Sequence, residues 1–251
     1  MSNIKLIVTD LDGTLLRTDK TISDYTVSVF KRCRDKGLKT AFATARALSM
    51  VTEYLEVVAI DGLVATNGAF IYANGNIIHT HLLPLELSKA ILAELGANAN
   101  VQRISARQYD ARYTNKPASD KDTFYDFATP FDEPISHMSF RTDDAPFAAA
   151  ITAKYPELRI YHITGENIYD VGAKDCTKAT GIERLASHFG ISLADVVAFG
   201  DDNNDIEMLR ECGVGIAVAN AIDEVKAVAD QFCDSNDDDG LARWLEENVL
   251  A

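Results

Sequence analysis

The sequence predicts an α/β protein, with a parallel, three-layer sheet whose chain is interrupted by a separate α+β unit. Three observations lead there. Short apolar runs alternate with amphipathic, capped segments through residues 4–66, in the order strand, helix, strand, helix, strand. The same texture returns from about residue 177. Between them, after an Asn74-Gly75 turn pair, lies a mixed stretch richer in strands than in helices.

Taken in order, residues 4–9 are apolar and β-branched and stop at Asp10, the pattern of a buried strand. Ser23 is placed to cap a helix that runs to about Lys36, with Gly37 just past its end. Residues 39–44 form a second strand, 47–58 a second helix and 63–66 a third strand. Residues 70–73 and 77–83 flank the Asn-Gly pair as a hairpin. From Pro84 to about Val171 a helix (86–95) precedes strands near 101–113 and 135–142 and a helix near 146–155. Two further strands, near 158–163 and 167–171, join at Gly165. Then follow a helix over 177–189, a strand over 196–199, a helix starting at 205–210, a strand over 215–218 and a helix over 225–229. An acidic loop at 234–240 leads to a last helix, 241–248.

Composition narrows the function. In 251 residues, 24 basic side chains face 38 acidic ones, a net charge of −14 that repels phosphodiester backbones and anionic lipid. No nucleic-acid or membrane partner is therefore expected. Small anionic substrates remain open, because a local basic pocket overrides the global sign. The four cysteines (33, 176, 212, 233) contain no CxxC pair, which argues against a disulfide framework or zinc site. No apolar run approaches membrane-spanning length, and the first residues lack a signal-type apolar stretch. A soluble, cytoplasmic protein is the expectation, a monomer or small homo-oligomer.

Ligands of open α/β sheets bind outside the carboxyl ends of the strands. Four strand-end or helix-start positions carry concentrated polar residues. After the first strand, Asp10 and Asp12 sit at i and i+2 and project to the same side. Two carboxylates this close repel, so one must hold a cation or a proton. After the second strand, Thr44 and Arg46 offer a hydroxyl and a guanidinium to an anion. Lys178 stands just inside a helix start, where a cation is disfavoured and a phosphate partner would explain it. Residues 200–205, Gly-Asp-Asp-Asn-Asn-Asp, follow an apolar strand and make an oxygen-rich site suited to Mg²⁺.

Asp10-Leu-Asp-Gly-Thr-Leu15, Thr44-Ala-Arg46, Lys178 and the 200–205 run, in this order, resemble the four motifs of the haloacid dehalogenase superfamily. The insert between the second and third motifs, preceded by Asn67-Gly68-Ala69, resembles the Cof-type branch of sugar-phosphate phosphatases. Ala45 departs from the pattern, since many members carry glycine there, as does the run 174–177. The resemblance implies a Rossmann-like core from residues 1–83 and 172–251 and an inserted α+β cap from 84–171. It implies Asp10 as nucleophile and Asp12 as general acid/base. It places Thr44, Arg46, Lys178 and Asn204 on the phosphoryl group. Mg²⁺ would be held by Asp10, Asp12 (through its backbone carbonyl), Asp201 and Asp205. Crowding by the other three aspartates is expected to raise the Asp12 pKa, partly opposed by the metal.

The chemistry is self-consistent. An ionised aspartate attacks phosphorus without a base, and the aspartyl-phosphate divides one hard displacement into two easier ones. The reading is thus a Mg²⁺-dependent phosphatase of small phosphorylated metabolites, with sugar phosphates foremost. Phosphoglycolate or another short substrate, a sugar phosphomutase and a non-catalytic phosphometabolite sensor are the alternatives. The Asp10/Asp12 pair argues against a sensor, which has no use for a second carboxylate beside a phosphate. Within the insert, Arg103 and Arg107 lie at i and i+4 on one strand face. They are candidate contacts for a sugar hydroxyl or a second anionic group.

Overall fold

The computed structural model describes residues 4–109, 111–163 and 166–251. The chain packs as two compact units, Met1–Thr80 with Thr177–Ala251, and His81–Cys176. No helix among the described residues is long and apolar enough to cross a membrane.

The chain opens with β1 (Leu6–Thr9), buried throughout. Helix α1 (Asp24–Asp35) starts at Ser23, whose hydroxyl accepts the Thr26 N–H. It stops where Gly37 takes φ +87°, the left-handed conformation that glycine adopts without strain. After β2 (Lys39–Ala43), the helix expected over 47–58 is a 3₁₀ turn at Leu48–Met50 and then a short α2 (Thr52–Val57). Ser49, Val51 and Thr52 are weak helix formers, and Val51 at φ −117° breaks the run. Strand β3 (Gly62–Ala65) leads to the hairpin β4 (Phe70–Ala73) and β5 (Asn76–Thr80). Asn74 and Gly75 turn it with φ of 50° and 79°, as a two-residue hairpin with right-handed strand twist requires.

The second unit contains α3 (Leu85–Ala97), β6 (Val101–Gln108), β7 (Ala111–Thr114), β8 (Asp122–Phe124), β9 (His137–Thr142), α4 (Ala145–Lys154), β10 (Leu158–His162) and β11 (Ile168–Ala173). The single strand expected near 101–113 is in fact the hairpin β6–β7, with Tyr109 at φ 51° where the chain reverses. No Gly or Asn marks that turn, which hid it. The junction expected at Gly165 lies outside the described residues. The sheet runs β10-β11-β9-β6-β7-β8 and is antiparallel except for β7–β8.

The first unit resumes with α5 (Lys178–His188), β12 (Val196–Gly200), α6 (Ile206–Glu211), β13 (Val214–Val218), α7 (Asp223–Lys226), β14 (Gln231–Cys233) and α8 (Gly240–Leu245). Its sheet runs β14-β13-β12-β1-β2-β3-β4-β5, parallel from β14 to β3. The central strands read as near-continuous apolar runs because helices cover both faces. Leu6, Val8, Ala41, Val64 and Ala198 pack with Ile182 and Leu185 of α5 in one core cluster. On α8, Trp244 meets the Phe199 ring edge-on at 5.5 Å. From β1 the chain builds outward through β2 and β3; from β12 it builds the other way. The strand order therefore reverses between β1 and β12, where an open α/β sheet leaves a crevice beyond its carboxyl ends.

Candidate active site

Asp10 follows β1 and Asp201 follows β12, so the two loops that leave the reversal point each begin with a carboxylate. The Asp10 N–H donates to the Phe199 carbonyl at 3.0 Å and continues the parallel pairing one residue past the strand. Lys178 enters from α5. Thr177 caps that helix in a reciprocal box with Thr180, which fixes the first turn. A lysine here opposes the helix dipole and is 1% exposed, so it needs anions. Its ammonium donates to Asp10 Oδ1 at 2.6 Å and to Asp205 Oδ1 at 2.7 Å. The other Asp205 oxygen accepts the N–H groups of Asp201 (3.0 Å) and Asp202 (3.2 Å), which closes the loop over its own carboxylate.

Asp10, Asp201 and Asp205 each offer an oxygen within 4.8 Å of the others. Three buried or half-buried carboxylates thus face one ammonium. Burial, then the charges of Asp205 and Asp201, hold the Asp10 carboxyl well above its ordinary range, against the pull of Lys178. Burial and Asp205 likewise push Asp201 up to about 7, although Thr14 donates a 2.5 Å hydrogen bond to it. Burial alone would lower the Lys178 pKa; the charges of Asp10 and Asp205 keep it well above normal.

Asp12 departs from expectation. Its carboxylate lies outside this cluster and receives a fork from Arg46, Nε to Oδ2 and Nη2 to Oδ1, both at 2.7 Å. Lys20 adds a 2.8 Å bond. Burial pushes the Asp12 carboxyl up, but the Arg46 and Lys20 hydrogen bonds and charges outweigh it and bring it down to about 2. The expected rise is therefore corrected to a fall, because two cations lie on Asp12 and the other acids do not. As a side chain, Asp12 is also not one of the clustered metal-type acids. Arg46, expected on an anion, is instead occupied by Asp12, the Met50 carbonyl and the Tyr54 hydroxyl.

Thr44 is 1% exposed at the end of β2, and its hydroxyl accepts the Arg46 N–H at 3.1 Å. Its carbonyl accepts from Asn67 N–H, and the Arg46 carbonyl from Thr66 N–H, which ties this loop to the next. Asn204 donates to Asn67 Oδ1 at 3.0 Å, linking the fourth motif to the Asn-Gly-Ala turn. Sequence reasoning missed Lys20, Thr14, Asn220 and Asn236. Asn220 donates to the Gly13 carbonyl at 2.7 Å and Asn236 to the Leu16 carbonyl at 2.8 Å, bracing the first loop from far along the chain. No local pattern signals such contacts.

The sequence model of the haloacid dehalogenase-like hydrolases matches residues 7–245. The chain belongs to this family. This haloacid dehalogenase-like chain is 30% identical over 253 residues to the 5-amino-6-(5-phospho-D-ribitylamino)uracil phosphatase YcsE of Bacillus subtilis, across 99% of this chain and 97% of that one. It is 28% identical over 262 residues to a second Bacillus subtilis phosphatase of that description, YitU, across 96% of each. Among solved structures, the HAD subclass IIB sugar phosphatase BT4131 superposes with a TM-score of 0.81 at 27% identity, covering 98% of this chain and 100% of its own. The haloacid dehalogenase-like chain is accordingly an enzyme, a phosphoric monoester hydrolase.

Proposed function

We propose that this phosphatase hydrolyses small phosphorylated metabolites, sugar phosphates foremost, with Mg²⁺ and through an aspartyl-phosphate on Asp10. The observation that carries the reading is the buried Lys178 bridging Asp10 and Asp205 at the reversal point, with Asp201 beside them. The donor set fits a hard divalent cation, being three carboxylates with too little positive charge of their own. Asp10, Asp201 and Asp205 would hold Mg²⁺, with the Asp12 carbonyl. Bound there, the ion would offset the repulsion among these acids, favour the ionised form of Asp10 and supply positive charge to the phosphoryl group.

An Asp10 oxygen attacks phosphorus, a P–O bond forms, and the ester P–O bond breaks, the leaving oxygen taking a proton from Asp12 and departing as the alcohol. Water then attacks the same phosphorus, the acyl-phosphate bond breaks, and Asp10 is released with inorganic phosphate. Lys178 and the Thr44 hydroxyl steady the phosphoryl oxygens, and Asn204 is oriented towards the same task by Asn67. Asp12, ionised by Arg46 and Lys20, takes the proton from the attacking water. To serve the leaving group as an acid it must first leave both cations. Residues 84–171 form the cap that selects among substrates, the remainder the catalytic core.

The relatives named above support the substrate class, since they act on a phosphorylated ribityl compound and on sugar phosphates. A panel of phosphorylated sugars, phosphoribitylaminouracil and phosphoglycolate, ranked by kcat/KM with Mg²⁺ and after chelation, tests it. Sugar-type phosphates should lead and chelation should abolish turnover. Full activity in chelator, or phosphoglycolate ranked first, defeats it.

A further inference from the structure

The loops that leave β1, β12 and β13 lie side by side, because the strand order places β12 between the other two. Asp201, the first residue after β12, therefore has the loop after β1 on one side and residues 219–222, after β13, on the other. Both neighbours hold it. The Thr14 hydroxyl donates to Asp201 Oδ1 at 2.5 Å, and Gly13 lies so close that an added Cβ would stand 2.3 Å from Oδ2. From the opposite side, the Ile222 N–H donates to the Asp201 carbonyl at 3.0 Å. Asn220 joins the two neighbours, since its Nδ2 donates to the Gly13 carbonyl at 2.7 Å.

The Asn220 amide has both ends in use. Its Oδ1 accepts the Asn236 N–H at 3.0 Å while Nδ2 serves Gly13. Exchanging the two atoms would set donor against donor and acceptor against acceptor, so one orientation satisfies both partners. Asn236 is 7% exposed and donates its own side-chain amide to the Leu16 carbonyl at 2.8 Å. The acidic loop at 234–240 continues the attachment, as Thr18 donates its N–H and its hydroxyl to Asp237, both at 2.8 Å. The Thr18 bonds end at Asp237, whereas that of Asn220 leads through Gly13 to the Asp201 carboxylate. Repulsion from Asp10 and Asp205 favours an Asp201 side chain turned away from them. The Gly13–Thr14 turn opposes that movement, and groups that orient a metal ligand govern the affinity for the metal.

We propose that Asn220 is a positioning residue for the Mg²⁺ site: by fixing the Gly13–Thr14 turn, it keeps the Asp201 carboxylate beside Asp10 and Asp205. The proposal rests on Mg²⁺ binding at these acids. Its test is calorimetric titration of the substrate-free full chain with Mg²⁺, alongside p-nitrophenyl phosphate hydrolysis over a Mg²⁺ series. Asn220→Ala should raise the Mg²⁺ Kd by about tenfold and the Mg²⁺ requirement for turnover in step, with kcat recovering towards wild type at saturating Mg²⁺. Asn220→Gln, which keeps the amide on a longer stem, should fall between the two. Thr18→Ala cuts a bond between the same two loops away from Asp201 and should leave the Kd unchanged. If Asn220→Ala does not fold, Asn220→Gln alone should still raise the Kd severalfold. A wild-type Kd in the folded Asn220 variants, or an equal rise in Thr18→Ala, overturns the proposal, since Asn220 is then a structural brace only. Wild type that binds no Mg²⁺ and keeps full activity in chelator removes the metal reading itself, and the proposal with it.

Discussion

Removing one negative charge from the carboxylate cluster should stabilise the metal-free protein, and Asp201→Asn is the cleanest way to do it. Asp201 is held at about 7 against an ordinary 3.8. Its protonated form is thus favoured by folding. The associated stability is fully present below the unfolded value and is lost as pH rises through about 7. Each tenfold change in proton affinity is about 1.4 kcal/mol, so the ionised side chain costs about 4 kcal/mol at pH 8. Asparagine has the shape of the protonated acid and never ionises. In chelator, the variant should match wild type near pH 4 and exceed it by up to about 4 kcal/mol near pH 8. With saturating Mg²⁺ the order should reverse, because wild type gains the ion and the variant has lost a ligand. Urea unfolding of both proteins across pH reads the difference. Comparison with the variant is essential. Burial and Arg107 lower His137 to about 3, which makes stability rise with pH up to about 6.5, but equally in both proteins. A metal-free Asp201→Asn no more stable than wild type at pH 8 refutes the charge argument.

Asp10→Asn should abolish hydrolysis of p-nitrophenyl phosphate with the circular dichroism spectrum unchanged; turnover within about tenfold of wild type, with deamidation excluded, rules out Asp10 as nucleophile. Arg46→Met removes two of the three hydrogen bonds on the Asp12 carboxylate, so its pKa should climb from about 2 and the acid limb of phosphoenzyme hydrolysis, followed in single turnover, should move to higher pH. An unmoved limb sinks the Asp12 base role. At Gly13 (φ +82°), an added Cβ would stand 2.3 Å from Asp201 Oδ2, so Gly13→Ala should weaken Mg²⁺ activation by displacing that carboxylate; an unchanged Mg²⁺ titration contradicts this. Replacing residues 84–171 with a short linker should spare p-nitrophenyl phosphate hydrolysis and erase the ranking among metabolites, and a retained ranking puts specificity in the core.

What the sequence made legible was whatever one strand end or one cap encodes. Asp10, Asp201 and Asp205 could be placed near one another because buried strands announce themselves and the strand-end rule gathers their loops. Lys178 stood out because a cation at a helix start is anomalous. Ser23, Gly37 and the Asn74-Gly75 turn were read from residue chemistry alone and occur where that chemistry requires them. Contacts set by side-chain reach across the fold were not legible. Arg46 lies 34 residues from Asp12 and Lys20 eight, and either could have pointed to solvent. The braces from Asn220 and Asn236 come from more than 200 residues away. The β6–β7 reversal failed for a local reason, since Tyr109 adopts a left-handed backbone that its side chain disfavours.

The two acids of the first motif show why residue spacing underdetermines chemistry. Asp10 and Asp12 are two residues apart, yet their surroundings drive them in opposite directions. The Asp10 side chain is 8% exposed, and its one cation is shared with Asp205, so burial and neighbouring acids prevail. The Asp12 side chain is 42% exposed and has two cations of its own, so it stays ionised. Pairs of titratable groups pushed apart in this way are how a site divides roles between chemically identical side chains. Here the division is that burial and neighbouring acids raise the Asp10 carboxyl, whereas two cations lower that of Asp12. With Mg²⁺ at the proposed site, chelation should change the surroundings of Asp10 and leave the protonation of Asp12 where Arg46 and Lys20 put it.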